Sequence, residues 1–141
     1  MKKLLKIDVI NRQSQLSVSA AKIKRLATQV FKRESKSKVN GQVSICFVDD
    51  RFIKDLNLRF LGKPLATDVL AFENSKINKN IQADIIVSTQ TAIRNSAIFK
   101  TTPEYEMRLY VVHGVLHILG FNDNNACARG LMRKTESKYV H

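Results

Sequence analysis

The chain has 141 residues, 44% of them hydrophobic and 26% charged, with a formal net charge of +12 and a pI near 10. That length supports one globular domain, residues 1–141, and leaves no room for a second core. Its apolar runs are too short and too often broken by charge to cross a bilayer, its two cysteines cannot frame a disulfide scaffold, and a field of this sign attracts polyanions.

The opening LLKIDVI alternates apolar and polar residues and predicts a strand. Lys6 and Asp8 fall where a signal peptide would need its apolar stretch, so we expect an unexported, cytoplasmic protein with Cys46 and Cys127 reduced. Ser17 or Ser19 can cap a helix running to about Glu34, in which Ile23, Leu26, Ala27, Val30 and Phe31 keep the spacing of one buried face. At about 100° per residue, Lys22, Arg25, Lys32, Arg33 and Lys36 fall together opposite that face. Residues 1 to 40 hold 11 Lys/Arg against Asp8 and Glu34, which places +9 of the +12 there. Such a stripe can track a phosphate backbone; the alternative is a solubilising face.

SKSKVNGQ is predicted as a loop and VSICFV as a fully apolar strand central in a sheet. Asp49 or Asp50 then caps a short helix with Ile53, Leu56 and Phe60 inward, ended by Gly62 and Pro64. TDVLAF and ADIIVS give two more strands, separated by the polar ENSKINKNIQ, which is predicted as a mobile connection. A helix from Thr89 to Phe99 follows, and TTPE starts the next: Thr102 as cap, Pro103 at its first position, Glu104 in its first turn. The last helix is expected over Ala126 to Tyr139.

On a helical wheel from Pro103 to Leu119, Tyr105, Leu109, Val112, Leu116 and Leu119 take one side, and Met107, Val111, Val115 and Ile118 most of the other. A helix apolar nearly all round is buried. One strip interrupts it, Glu106, Tyr110, His113 and His117, and burying such groups unpaired costs on the order of a few kcal/mol each. The strip must therefore meet a partner or a water-filled cleft.

Histidines at i and i+4 stand about 6 Å apart on one helix face, close enough to share one metal ion at about 2.0 to 2.1 Å. The helix stops at Gly120, and a chain turning back there can supply Asp123 as a third ligand. Three protein ligands leave a fourth position for a water whose pKa can fall to about 7. Gly114 stands where HExxH peptidases carry their glutamate base, which argues against that chemistry. Two core histidines satisfied by carbonyls or water are the bland alternative.

HGVLHILGFND resembles the signature H-G-x-L-H-L-x-G-Y-D-H of the YbeY family of bacterial endoribonucleases. LNLRFLGKPLATDVLAFE is similar to that family's L-N-x-x-Y-R-x-x-x-x-P-T-D-V-L-S-F, ADIIVS to its G-D-I-V-I-S, and Met132 with Glu136 to the M-x-x-x-E of its last helix. The resemblance covers nearly the whole chain. It implies an α/β (α+β) fold in a single compact domain, one mixed four-stranded sheet packed by about five helices, with a zincin-like metal helix. It further implies one Zn(2+) per chain, cleavage of single-stranded RNA in maturation of the 16S rRNA 3′ end, and a part in ribosome quality control. The partners it implies are the small ribosomal subunit, ribosomal protein S11 and an assembly GTPase, in the cytoplasm and away from membranes.

Two departures qualify that expectation. The family's third histidine falls on Asp123, which gives a His113, His117, Asp123 set with one less positive charge, and its preceding aspartate falls on Asn122. Cys127 and His141 are rival ligands. Leu61 stands where the family has an arginine that serves RNA binding or cleavage; Arg59 points about 200° away on a helix and cannot simply replace it, although it can still touch RNA. Ala83 replaces a glycine. Thr67 and Asp68 can orient a ligand or substrate, or simply cap a turn, Asp84 can be a paired strand-end charge, and Glu106 lies about 10 Å from His113, too far for a direct base. No side-chain base is assigned. Besides the metal-dependent endoribonuclease, a catalytically weakened RNA- or ribosome-binding protein of the same fold and a metal hydrolase of small substrates remain open.

Overall fold

The computed structural model describes residues 5–36, 38–77 and 80–140. Its elements are β1 (Leu5–Asn11), α1 (Ala20–Glu34), β2 (Asn40–Val48), α2 (Asp50–Leu61), β3 (Val69–Ile77), β4 (Asn80–Ser88), α3 (Thr89–Phe99), α4 (Pro103–Ile118) and α5 (Ala126–Glu136). The strands form one mixed sheet in the order β1-β2-β4-β3, with β2 parallel to β1 and β4, and β3 antiparallel to β4. This is the α/β arrangement of four strands and five helices that the sequence resemblance implies.

Period-two alternation divides the central strands between two apolar layers. Val43, Ile45 and Phe47 of β2, with Ile81, Ala83, Ile85 and Val87 of β4, face the larger core, completed by Ile23, Ala27, Val30 and Phe31 of α1 and by much of α4. Cys46, Val48, Leu70 and Ile86 face the other way, where α2 covers them through Ile53. Because VSICFV is buried on both sides, it reads as an unbroken apolar run.

Side-chain caps fix where the helices begin. Ser19, Asp49, Ser88, Thr102 and Asn125 each accept a hydrogen bond from a backbone N–H in the first turn that follows. Ser19 rather than Ser17, and Asp49 rather than Asp50, fill the capping positions. Asp50 sits one residue inside α2, where its carboxylate accepts from the Ser88 hydroxyl at 2.6 Å, the Thr91 hydroxyl at 2.7 Å and the Arg94 guanidinium at 2.6 Å, tying the starts of α2 and α3 together.

Several expectations need correcting. ENSKINKNIQ is not simply a connection: β3 runs to Ile77 and β4 begins at Asn80, with a register shift between Glu73 and Ser75. Edge position and a bulge explain the concealed strand pattern, since neither requires regular apolar alternation. Asn40 to Gln42, within the expected loop, belong to β2. Phe60 is not inward: it lies against Phe72 of edge strand β3, with ring centroids 5.3 Å apart, and stays 64% exposed, since among the described residues no further strand lies beyond to cover it. Buried Asn57 holds its place on the inner side of α2 and donates to the Leu65 carbonyl at 2.9 Å. α5 ends at Glu136, and Lys138 and Tyr139 follow in a tighter turn, donating to the Thr135 and Glu136 carbonyls.

Candidate metal centre

α4 is the buried helix, and its polar strip divides into two halves. Glu106 and Tyr110 are each 3% exposed and find protein partners: Glu106 accepts from the Thr101 hydroxyl at 2.8 Å, and Asn95 of α3 donates to the Tyr110 oxygen at 2.9 Å. Burial, more than the opposing Asn95 bond, pushes the Tyr110 phenol well above its ordinary pKa. One turn later His113 and His117 are only half-buried and look into a cleft of about 470 Å³, lined also by Leu61, Asp68 and residues of β3. The strip therefore meets both environments, a partner above and a wet cleft below.

Gly114 sets how closely α4 lies on the sheet. A Cβ there would stand 2.7 Å from Cγ2 of Ile85, which is completely buried. The missing side chain lets the helix settle on β4 with its neighbour His113 in the cleft. Gly120 ends the turn with φ 104, a conformation open to glycine and strained for other residues. Its N–H and that of Phe121 donate to the carbonyls of His117 and Leu116, which folds the chain back over the helix end. Asn122 accepts from the Asn124 N–H, and Arg129 donates to the Asp123 carbonyl, so the short return is held from both sides.

That return brings Asp123 to the histidines. His113 Nε2 and His117 Nε2 are 2.9 Å apart, and Asp123 Oδ2 lies 3.7 Å from the first and 3.4 Å from the second. A tetrahedral ion with bonds of about 2.0 to 2.1 Å holds its ligands about 3.3 Å apart, and the three observed separations bracket that value. The point equidistant from all three atoms lies about 2 Å from each, the length of a zinc bond. Two bare nitrogen lone pairs at 2.9 Å repel, so a proton or a shared cation belongs between them. The donor set and its spacing fit a metal ion.

Glu136, from the last turn of α5, completes the arrangement. Its carboxylate is buried and lies 2.6 Å from His113 Nδ1, so that nitrogen is assigned the proton, leaving Nε2 as a lone pair toward Asp123 and His117. Burial alone would lower the His113 pKa, but the hydrogen bond and charge of Glu136, with help from Asp123 and Asp68, raise it above the ordinary value. Burial and the neighbouring His113 lower that of His117 against the pull of Asp123. Sequence reasoning gave Glu136 no role. The available sign was the match of Met132 and Glu136 to the family's M-x-x-x-E, which sets the acid one turn after an apolar residue on the same helix face, where burial requires a partner.

Among the described residues, His113, His117 and Asp123 are the one group of three or more ligating side chains whose ligand atoms all lie within 4.8 Å of one another. Cys127 is exposed at the start of α5 and takes no part, and His141 lies outside the described residues. Leu61 lines the cleft, whereas Arg59 does not and pairs with Asp55 at 3.3 Å. Asp68 lines the cleft while its carboxylate accepts from the Val69 N–H, and Asp84 is engaged by the Asn74 amide at 2.8 Å. Lys22, Arg25, Lys32 and Arg33 are exposed on α1, and the last three share a shallow groove with Lys24. Lys36 is not part of that helical stripe, because Ser35 is already extended and α1 stops at Glu34. None of these cations lines the metal cleft.

Among the described residues, no helix is long and apolar enough to cross a membrane. The family model for Endoribonuclease YbeY matches residues 8–141. The chain is 33% identical over 107 residues to Endoribonuclease YbeY of Christiangramia forsetii, covering 76% of this chain and 74% of that protein. It is 31% identical over 147 aligned positions to Endoribonuclease YbeY of Syntrophomonas wolfei, covering 94% of each. The solution structure of TM1509 from Thermotoga maritima superposes with a TM-score of 0.64 at 26% identity, over 97% of this chain and 87% of that one. With the match running through the sheet, the histidine helix and the acidic return alike, this chain belongs to the endoribonuclease YbeY family.

Proposed function

We propose that the protein is a zinc-dependent endoribonuclease that cuts single-stranded RNA, acting in the cytoplasm on the small ribosomal subunit at the 3′ end of 16S rRNA and in ribosome quality control, with ribosomal protein S11 and an assembly GTPase as partners. The observation that carries the reading is the convergence of His113 Nε2, His117 Nε2 and Asp123 Oδ2 where the two histidines line an open cleft. A zinc ion held there would supply a water acidic enough to attack a phosphodiester at neutral pH and a positive charge for the developing oxyanion. Glu136 keeps the proton on His113 Nδ1, so Nε2 is presented as a lone pair. Asp123 adds a negative charge where a third imidazole would be neutral, which leaves the centre a weaker acid. The α1 residues Lys22, Arg25, Lys32 and Arg33 serve the RNA backbone away from the cleft, with Lys36 beyond the helix and Arg59 on α2 as further contacts.

The test is metal analysis of the purified chain beside cleavage of a labelled single strand. One zinc per chain, with cleavage lost in chelator and in His113→Ala, is the expected result; cleavage unchanged in metal-free protein would overturn it. Leu61 favours a second reading, a weakened enzyme that mainly binds RNA or the ribosome, because it sets an apolar side chain at the cleft and no Lys or Arg among the described residues lines it. If Asp123→His gains both zinc and nuclease activity over a parent that has little of either, the binding reading moves ahead.

A further inference from the structure

Phe60 occupies the helical side that Ile53 begins, yet α2 has by then reached the open edge of the sheet and the ring is 64% exposed. It lies tilted by 54° against Phe72, whose residue also lines the metal cleft. Next to it Leu61 lines the same cleft at 53% exposure, and Leu65, 64% exposed, is tied back to α2 through the Asn57 amide. Exposed apolar side chains, one of them aromatic, thus gather where the end of α2 meets edge strand β3 beside the cleft. Inside the cleft Asp68 and Glu73 are acidic, and among the described residues no lysine or arginine lines the wall, so the described side chains offer backbone phosphates little to hold them before the ion does.

We infer that Phe60, backed by Phe72 and flanked by Leu61 and Leu65, is a stacking platform for an unpaired nucleobase beside the phosphodiester presented to His113, His117 and Asp123. This rests on the RNA reading above and deepens it: the platform makes the site selective for single strands, because a base within a duplex has no free face to offer an aromatic ring. An aromatic ring accepts any base, so the platform selects strandedness and not sequence.

The test uses zinc-loaded full-length protein and a short single-stranded RNA carrying 2-aminopurine at successive positions, with the matching duplex as comparison. Phe60→Ala should weaken single-strand binding about 5- to 100-fold and abolish the fluorescence change of one particular 2-aminopurine position, while Phe60→Tyr restores both. Zinc content and Tm of each variant are measured alongside, and equal values show that the loss is local. Wild-type binding of the single strand with undiminished affinity in Phe60→Ala overturns the platform and leaves the RNA reading standing. No wild-type binding to any RNA overturns both. A lower mass in solution for Phe60→Ala than for the parent would make these side chains a contact between copies of this chain and overturn the platform.

Discussion

Glu136 offers the sharpest test of the metal centre, because it touches a proposed ligand without being one. Its carboxylate is 7% exposed and meets His113 Nδ1 at 2.6 Å, a short charge-assisted contact that fixes both ring orientation and tautomer. Removing the partner of a ligating histidine typically lowers metal affinity about 10- to 100-fold, or about 1.4 to 2.7 kcal/mol. Glu136→Gln keeps the shape and an acceptor oxygen but loses the charge, so it belongs near the tenfold end. Glu136→Ala also frees the ring to rotate and belongs near the hundredfold end. Competition for zinc against a chromophoric chelator measures both. The pH dependence gives an independent sign: zinc competes with protons for His113, whose pKa Glu136 raises, so wild-type affinity should fall as pH drops through that raised value. Without Glu136 the same fall should begin at a lower pH. Equal zinc affinity in all three proteins, or losses no greater than the destabilisation of the metal-free fold, would refute the assignment.

Gly114→Ala should cost about 1 to 3 kcal/mol in chemical denaturation, since its Cβ would meet Ile85 Cγ2 at 2.7 Å, and the cost should be smaller in an Ile85→Ala background, which removes that Cγ2. Asp50→Asn should lose about 2 to 3 kcal/mol of stability at pH 7, because Arg94 loses its counter-charge and one of the two accepting oxygens becomes an amide nitrogen that cannot accept. The native-state pKa of Asp50 is lowered, burial being outweighed by Arg94, Ser88 and Thr91, so this advantage is present above the unfolded value of about 3.9 and disappears as pH falls through the lower native one. Leu61→Arg sets a guanidinium in the cleft and should raise single-strand cleavage at saturating zinc by about tenfold or more; an unchanged kcat would show that the apolar side chain is no handicap.

What the sequence made legible was periodicity and punctuation. The α1 face, the apolar β2 run, the Thr102–Pro103 start and the Gly120 stop all express constraints local to a few residues, and each appears in the fold. The approach of Asp123 to the histidines follows the same logic, since a glycine at φ 104 leaves the return little choice of direction. Tertiary facts stayed hidden. Gly114 shows its purpose only against Ile85, twenty-nine residues away, and Glu136 only against His113. Phe60 satisfies a helical wheel that takes no account of where the sheet ends, and Lys36 satisfies one that takes no account of where the helix ends.

The distribution of charge ties binding to the metal in a way that neither surface would alone. Asp68 and Glu73 line the cleft and Asp123 stands at its histidines, all three negative, while Lys24, Arg25, Lys32 and Arg33 stand together on α1, outside the cleft. On the proposed reading, metal-free protein should still bind a single strand through α1, and replacing Arg25 and Lys32 by Gln should flatten the slope of log K against log salt by about 1.4, two phosphate contacts at about 0.7 each. Zinc should then add affinity on the order of tenfold by offsetting most of the negative charge around the histidines, an increment that the α1 variant retains because its source lies elsewhere. Linkage makes the effect reciprocal: RNA must tighten zinc binding by the same factor that zinc tightens RNA binding. Calorimetric titrations in both orders check it. If zinc leaves RNA affinity unchanged, the phosphate does not reach the histidine floor, and the cleft and the basic helix act on separate ligands.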